Sequence, residues 1–212
     1  NDFKIGIVVF FFSLFVFPTN AFGYTIKEET NFYIEQSFSE SNVDLSRGGM
    51  IFSSERINYY IDLDYWNSKT EEEKNDIEGK IKDLDDEFNK KIYPGITSVF
   101  GTEASYGVDK NSKITLFFHE TKEGVNGYVR NVDAFEKSIN PYSNQRKMIY
   151  LSTDLIDGGF LKETLAHEFI HLITVNKKEI RYGKSEDKWL NEARAEYAVT
   201  LLGYNEGSSS YI

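Results

Sequence analysis

His167-Glu168-Phe169-Ile170-His171 gathers two imidazoles and a carboxylate into five consecutive positions of a 212-residue chain that has only three His. On a helix, side chains four positions apart share a face, so His167 and His171 can reach one metal ion together. Glu168 follows His167 by one position and is turned about 100° around the axis. It flanks the ion instead of binding it, and from there it can take a proton from metal-bound water. Two ligands and a base are what metal-assisted hydrolysis requires, and HExxH is the spacing of zinc peptidases. An ordinary amphipathic helix with two polar His would share that spacing. Composition argues against this simpler reading, because two of the three His fall inside the motif.

The helix that must carry the pair is specified by its neighbours. Asp157-Gly158-Gly159 is a turn signal, and Phe160, Leu161, Thr164, Leu165, Phe169, Leu172 and Ile173 recur at helical spacing until Asn176 and the Lys177-Lys178 pair. Apolar residues flank the His so closely that the helix must be mostly buried, which would strand two imidazoles without a metal or hydrogen-bond partner. A catalytic zinc site takes three protein ligands and leaves the fourth position to water. No His follows His171, which removes the metzincin pattern. The downstream acids are Glu179, Glu186, Asp187, Glu192, Glu196 and Glu206. Glu192 and Glu196 lie in the segment from Trp189 to Ala198, whose good helix formers set them one turn apart on one face.

HExxH followed by an Asn-Glu-x-x-x-Glu helix resembles the gluzincin zinc metallopeptidases, the thermolysin-like group. Thr164-Leu165-Ala166-His167-Glu168-Phe169-Ile170-His171 followed by Trp189-Leu190-Asn191-Glu192 resembles more narrowly the hyicolysin-type secreted neutral metalloproteases of bacteria. The likeness spans roughly residues 114 to 203 and is specific in the two helices. It implies a zincin-like α+β catalytic domain with a small twisted sheet, an HExxH helix and a C-terminal helical subdomain. It implies that Glu192 is the third zinc ligand and that Glu196 hydrogen-bonds the free ring nitrogen of His167, fixing its tautomer and orientation. A solvated Glu196 paired with Arg194 or a Lys is the alternative. Tyr182, eleven positions after His171, matches the family's placement of a donor to the developing oxyanion. Members often have Gly after the ligand Glu, where this chain has Ala193, a better helix former. The family draws a second donor from the helical subdomain; the chain stops at Ile212, so that subdomain is expected to be truncated. His119, at the end of a strand read over Lys113 to Phe118, is expected to hold no metal and to lie near a substrate that adds to the sheet.

The rest of the chain must position and export this machinery. Ile5 to Phe17 is an apolar run of 13 residues broken only by Gly6 and Ser13 and followed by Pro18-Thr19-Asn20-Ala21-Phe22-Gly23. It falls short of the roughly 20 residues that span a membrane. Residues 1–23 therefore read as a secretory signal peptide, with an uncleaved anchor as the alternative, and the protein as secreted or extracytoplasmic. No stable membrane insertion is expected after cleavage. A net charge of −10 repels nucleic acid and anionic membranes, which leaves protein or peptide as the expected substrate. Zero Cys excludes a thiol protease and a disulfide framework.

Residues 24–54, polar and Ser-rich with a break at Arg47-Gly48-Gly49, read as a propeptide or loosely ordered lead-in, and residues 55–212 as the catalytic domain. Ile57, Tyr59, Ile61 and Leu63 alternate as a strand, and Met148 to Leu151 form another. Thr70 to Glu73 is a capping box, opening a helix whose stripe of Ile77, Ile81, Leu84, Phe88 and Ile92 ends before Pro94-Gly95. This order of elements predicts an α+β domain. Asp154 and Asp157 could hold calcium, although two acids in a loop are a weak signature. The function expected is a secreted zinc-dependent endopeptidase in which Glu168 is the general base. A catalytically degenerate zinc-binding homologue acting as a secreted binding module is the alternative. An aminopeptidase is disfavoured, because no Gly-x-Met-x-Asn recognition motif is present.

Overall fold

The computed structural model describes residues 26–104, 107–180, 183, 184 and 186–204. Its strands are β1 (Glu29–Tyr33), β2 (Leu45–Ser53), β3 (Ile57–Asp62), β4 (Ile114–His119), β5 (Gly127–Tyr128) and β6 (Met148–Ser152). They form one mixed six-stranded sheet in the order β1-β2-β3-β4-β6-β5. β3, β4 and β6 are parallel, and β1, β2 and β5 join antiparallel. Every residue of β4 and β6 is buried, as expected of apolar runs at the centre of a sheet covered on both faces. Alternation divides their side chains between two cores. Ile57, Tyr59 and Ile61 of β3, Leu116 and Phe118 of β4, and Ile149 and Leu151 of β6 join the core shared with the helices, whereas Tyr60, Phe117 and Tyr150 meet Phe32 and Tyr128 in a second cluster.

The helices are α1 (Leu63–Asn67), α2 (Glu71–Glu87), α3 (Tyr93–Phe100), α4 (Leu161–Thr174) and α5 (Lys188–Leu201). The α+β class read from the sequence is the class observed. The Thr70–Glu73 capping box opens α2, and Ile77, Ile81 and Leu84 form its buried stripe. That helix does not stop before Pro94. A π-helical turn at Phe88–Ile92 leads straight into α3, with Pro94 in its first turn. Pro94 falls just after the π-helical ladder, in which Tyr93 N–H bonds Phe88 O, so its missing N–H sits where the ladder changes from five-residue to four-residue spacing. The continued helix keeps Phe88, Ile92 and Ile96 fully buried.

The loosely ordered lead-in suggested by the polarity of residues 24–54 is also corrected, since residues 29–33 and 45–53 are β1 and β2. Gly48 and Gly49 are strand residues and not a break. A Cβ at Gly48 would stand 2.7 Å from the Phe32 ring and one at Gly49 2.6 Å from Leu63, so the missing side chains let neighbouring groups cross the strand closely. β2 pairs with β3 across the boundary at residue 54, and the sheet is continuous through it. The segment read as a signal peptide lies outside the described residues. Among the described residues no helix is long and apolar enough to cross a membrane.

Candidate metal centre

α4 carries the HExxH residues on a helix held by its apolar faces. Leu165, Ala166, Phe169 and Ile170 are fully buried, and the Phe169 ring stacks on Tyr93 at 5.7 Å and meets Phe88 edge-on at 5.1 Å. With that side locked against α3 and the π-helical turn, His167 and His171 face the cleft. Their rings meet edge-on with centroids 4.8 Å apart. α5 packs along α4 and brings Glu192 to the same point: Glu192 Oε2 lies 3.3 Å from His167 Nε2 and 3.7 Å from His171 Nε2. One donor atom from each of the three residues falls within 4.8 Å of the others. Tetrahedral ligands of zinc, at about 2.0 to 2.1 Å from the ion, stand about 3.4 Å from one another. The donor set and its spacing therefore fit zinc.

The neighbours of the ligands are placed by the same helix pair. Glu196 Oε1 lies 3.3 Å from His167 Nδ1, the ring nitrogen that a metal at Nε2 leaves free. Arg194 does not pair with Glu196. It forms a two-pronged ion pair with the buried Glu186 carboxylate, at 2.5 and 2.8 Å, and its Nη1 reaches Thr174 at the end of α4. The approach to α5, α5 itself and the end of α4 are thereby tied together. His171 has a second neighbour that the sequence reading did not assign, Asn191. Burial first, then the His167 charge, lowers the His171 pKa, while Glu192 and the Asn191 side chain oppose that shift. A neutral His171 is the form that can donate a lone pair to a metal. His171 Nδ1 and Asn191 Oδ1 are both buried without a partner of hydrogen-bonding geometry, so a small rotation joining them would satisfy two atoms at once.

Glu168 is 5% exposed, and its Oε2 is buried without a partner. In the protein by itself, burial and then the Glu192 charge push its pKa up to about 8. Positive charge held by the three donors would favour the carboxylate. The other wall of this position is Gly127 of β5, where a Cβ would stand 2.9 Å from Glu168 Cγ and equally close to Leu151. The edge strand passes so near α4 that only Gly fits. No sequence pattern marked Gly127, because the close approach depends on how β5 and α4 pack.

The remaining residues singled out in the sequence divide clearly. His119 is 2% exposed and lies with Phe117 and Tyr150 in the aromatic cluster, so it does not reach a substrate. Its Nδ1–H donates to Glu120 O at 3.0 Å and its Nε2 accepts from the Tyr128 hydroxyl at 2.8 Å, which in turn accepts the Glu35 N–H. That chain of bonds fixes the tautomer and ties β5 to β4. Tyr182 lies outside the described residues. Asp157 is engaged by Lys80 at 2.5 Å, and among the described residues the one convergent group of three or more His or acidic residues is His167, His171 and Glu192.

No family model matches the chain. In an alignment of 133 positions that covers 55% of the chain, it is 27% identical to a neutral metalloprotease of Staphylococcus hyicus. The aligned part covers 29% of that relative, so the likeness concerns a portion of a longer metalloprotease.

Proposed function

We propose that this chain is a zinc-dependent endopeptidase of the gluzincin type, with zinc held by His167, His171 and Glu192. The observation that carries the reading is the convergence of those three donors beside a buried, unpartnered Glu168 carboxylate. Similarity to a metalloprotease supports it. A zinc ion at the site would polarise the scissile carbonyl and acidify water. Glu168 takes the proton of the attacking water and returns it to the leaving amine, a transfer favoured by a pKa near neutrality. Glu196 holds the His167 ring so that Nε2 points to the ion, and Asn191 does the same for His171. Tyr182 is assigned as a donor to the developing oxyanion. Protein or peptide is the substrate, and export through residues 1–23 is part of the same reading.

Glu168→Gln tests the mechanism. The variant should keep its zinc, measured by elemental analysis, and lose casein cleavage by at least about 100-fold. Cleavage at the wild-type rate would overturn the role of Glu168. Zinc retention by a wild-type protein that cleaves nothing would replace the enzyme with a zinc-holding homologue that acts by binding.

A further inference from the structure

Two cavities share His167 and Glu168 in their walls, and only the second carries a Lys among the described residues. The first, about 420 Å³, has apolar walls from Phe38, Val125, Phe160 and Val199. Its polar lining includes Glu163, Glu168 and Glu196, and holds no Lys or Arg among the described residues. The second, about 460 Å³, sets Lys188 beside Glu168, Glu186 and Glu192, and of these Glu186 is engaged by Arg194 and Glu192 faces the two His. Resting on the peptidase reading, we propose that the first cavity is a subsite for a basic side chain, Lys or Arg, and that Glu163 is the residue that selects it.

The three carboxylates of this cavity have different obligations. Glu168 is the general base, and Glu196 faces His167 Nδ1. Glu163 is half-buried in the first turn of α4 and makes no hydrogen bond or ion pair with a described residue. A Lys or Arg side chain satisfies both parts of such a cavity, its methylene stem against the apolar walls and its charge toward Glu163. Glu168, whose buried Oε2 has no hydrogen-bond partner, stands in the wall that this cavity shares with the second. β5 also fixes which substrate residue enters. It is one of the sheet's two edge strands, and the chain runs from Val125 and Asn126 at the first cavity to Val129 and Asn131 at the second. Antiparallel addition, the slightly stronger ladder, sends a peptide the opposite way, so the residue following the scissile bond lies over the first cavity. Glu163 also complements the α4 dipole, but that contribution acts on stability and does not distinguish one substrate from another.

The test is binding and turnover on the zinc-loaded protein, with zinc content and melting temperature checked for each variant. Three peptide hydroxamates identical except for Lys, Leu or Asp after the zinc-binding group are titrated calorimetrically, and peptides with the same three residues after the cleaved bond are assayed for kcat/KM. Lys should bind tightest and Asp weakest. The Lys-over-Leu ratio should fall about tenfold in Glu163→Gln, as expected for loss of a charge partner at a partly buried site. Glu163→Lys should move Asp to first place. Absence of a Lys preference, or one that survives Glu163→Gln, overturns the subsite while leaving the peptidase intact. A Lys preference in binding with no peptide cleaved supports the subsite and sinks the peptidase reading.

Discussion

Glu196 reaches the proposed ion only through His167, so removing it should weaken metal binding without removing a ligand. Glu196→Ala is expected to lower zinc affinity about 10- to 100-fold, measured by competition with a chromophoric chelator, and Glu192→Ala to lower it further because a donor is lost. Unchanged affinity in Glu196→Ala would mean that the 3.3 Å approach to His167 Nδ1 has no bearing on the metal. At this scale the sequence was most explicit where chemistry is local. The spacing of His167, Glu168 and His171 on one helix could be read with no knowledge of the fold. Helical spacing set Glu192 and Glu196 apart from the other four acids, but only a resemblance gave each its role, since no local rule says which of them will meet the His pair. Gly127 and Asn191 carried no assigned role, because each acquires its part from a neighbour far away in the chain.

Among the elements, α4 and α5 together present the candidate metal site, and Arg194 ties the approach to α5 to the end of α4. Glu186 keeps only 5% of its side chain exposed, so replacing Arg194 takes the guanidinium from a buried carboxylate. Arg194→Met should destabilise the fold, by about 1 to 3 kcal/mol, read from urea unfolding, and lower zinc affinity in step as Glu192 loses its support. A variant as stable as wild type would assign the joint to apolar packing alone. α2 and α4 were legible because their apolar stripes and the signals before them are written within a few turns of chain, and α5 because its segment is made of good helix formers. The continuation of α2 past Pro94 was not, since a π-helical turn arises from packing of Phe88 and Ile92. β1 and β2 were missed for a related reason: Glu29, Asn31 and Arg47 face outward, and Gly48 and Gly49 look like a loop until Phe32 and Leu63 are seen against them.

For the molecule as a whole, His119 links the fold to pH. Burial lowers its pKa to about 4 from an ordinary 6.5. Between those values the unfolded chain binds a proton that the folded chain does not, so stability is full above about pH 6.5 and falls as pH drops toward 4, by up to about 3 kcal/mol. Asp133, pushed up to about 6 chiefly by burial, acts in the opposite direction, losing stability as pH rises through the same region. The His119 share is isolated by comparison: unfolding free energies of wild type and His119→Gln, measured from pH 4 to 7, should differ by an amount that grows with pH. Parallel curves would show that His119 titrates normally. By itself the sequence determined the α+β class, the helix bearing His167, Glu168 and His171, and the acids from which a third donor could come, because periodicity, capping and i, i+4 spacing act over short stretches of chain. Only the tertiary structure decided that the polar segment before residue 55 completes the sheet, that His119 is buried away from the cleft, and that Glu192 and Glu196 stand against the two His. Those outcomes depend on strand pairing and helix packing between residues far apart in sequence, where burial and close approach are properties of the assembled layers and not of any one segment.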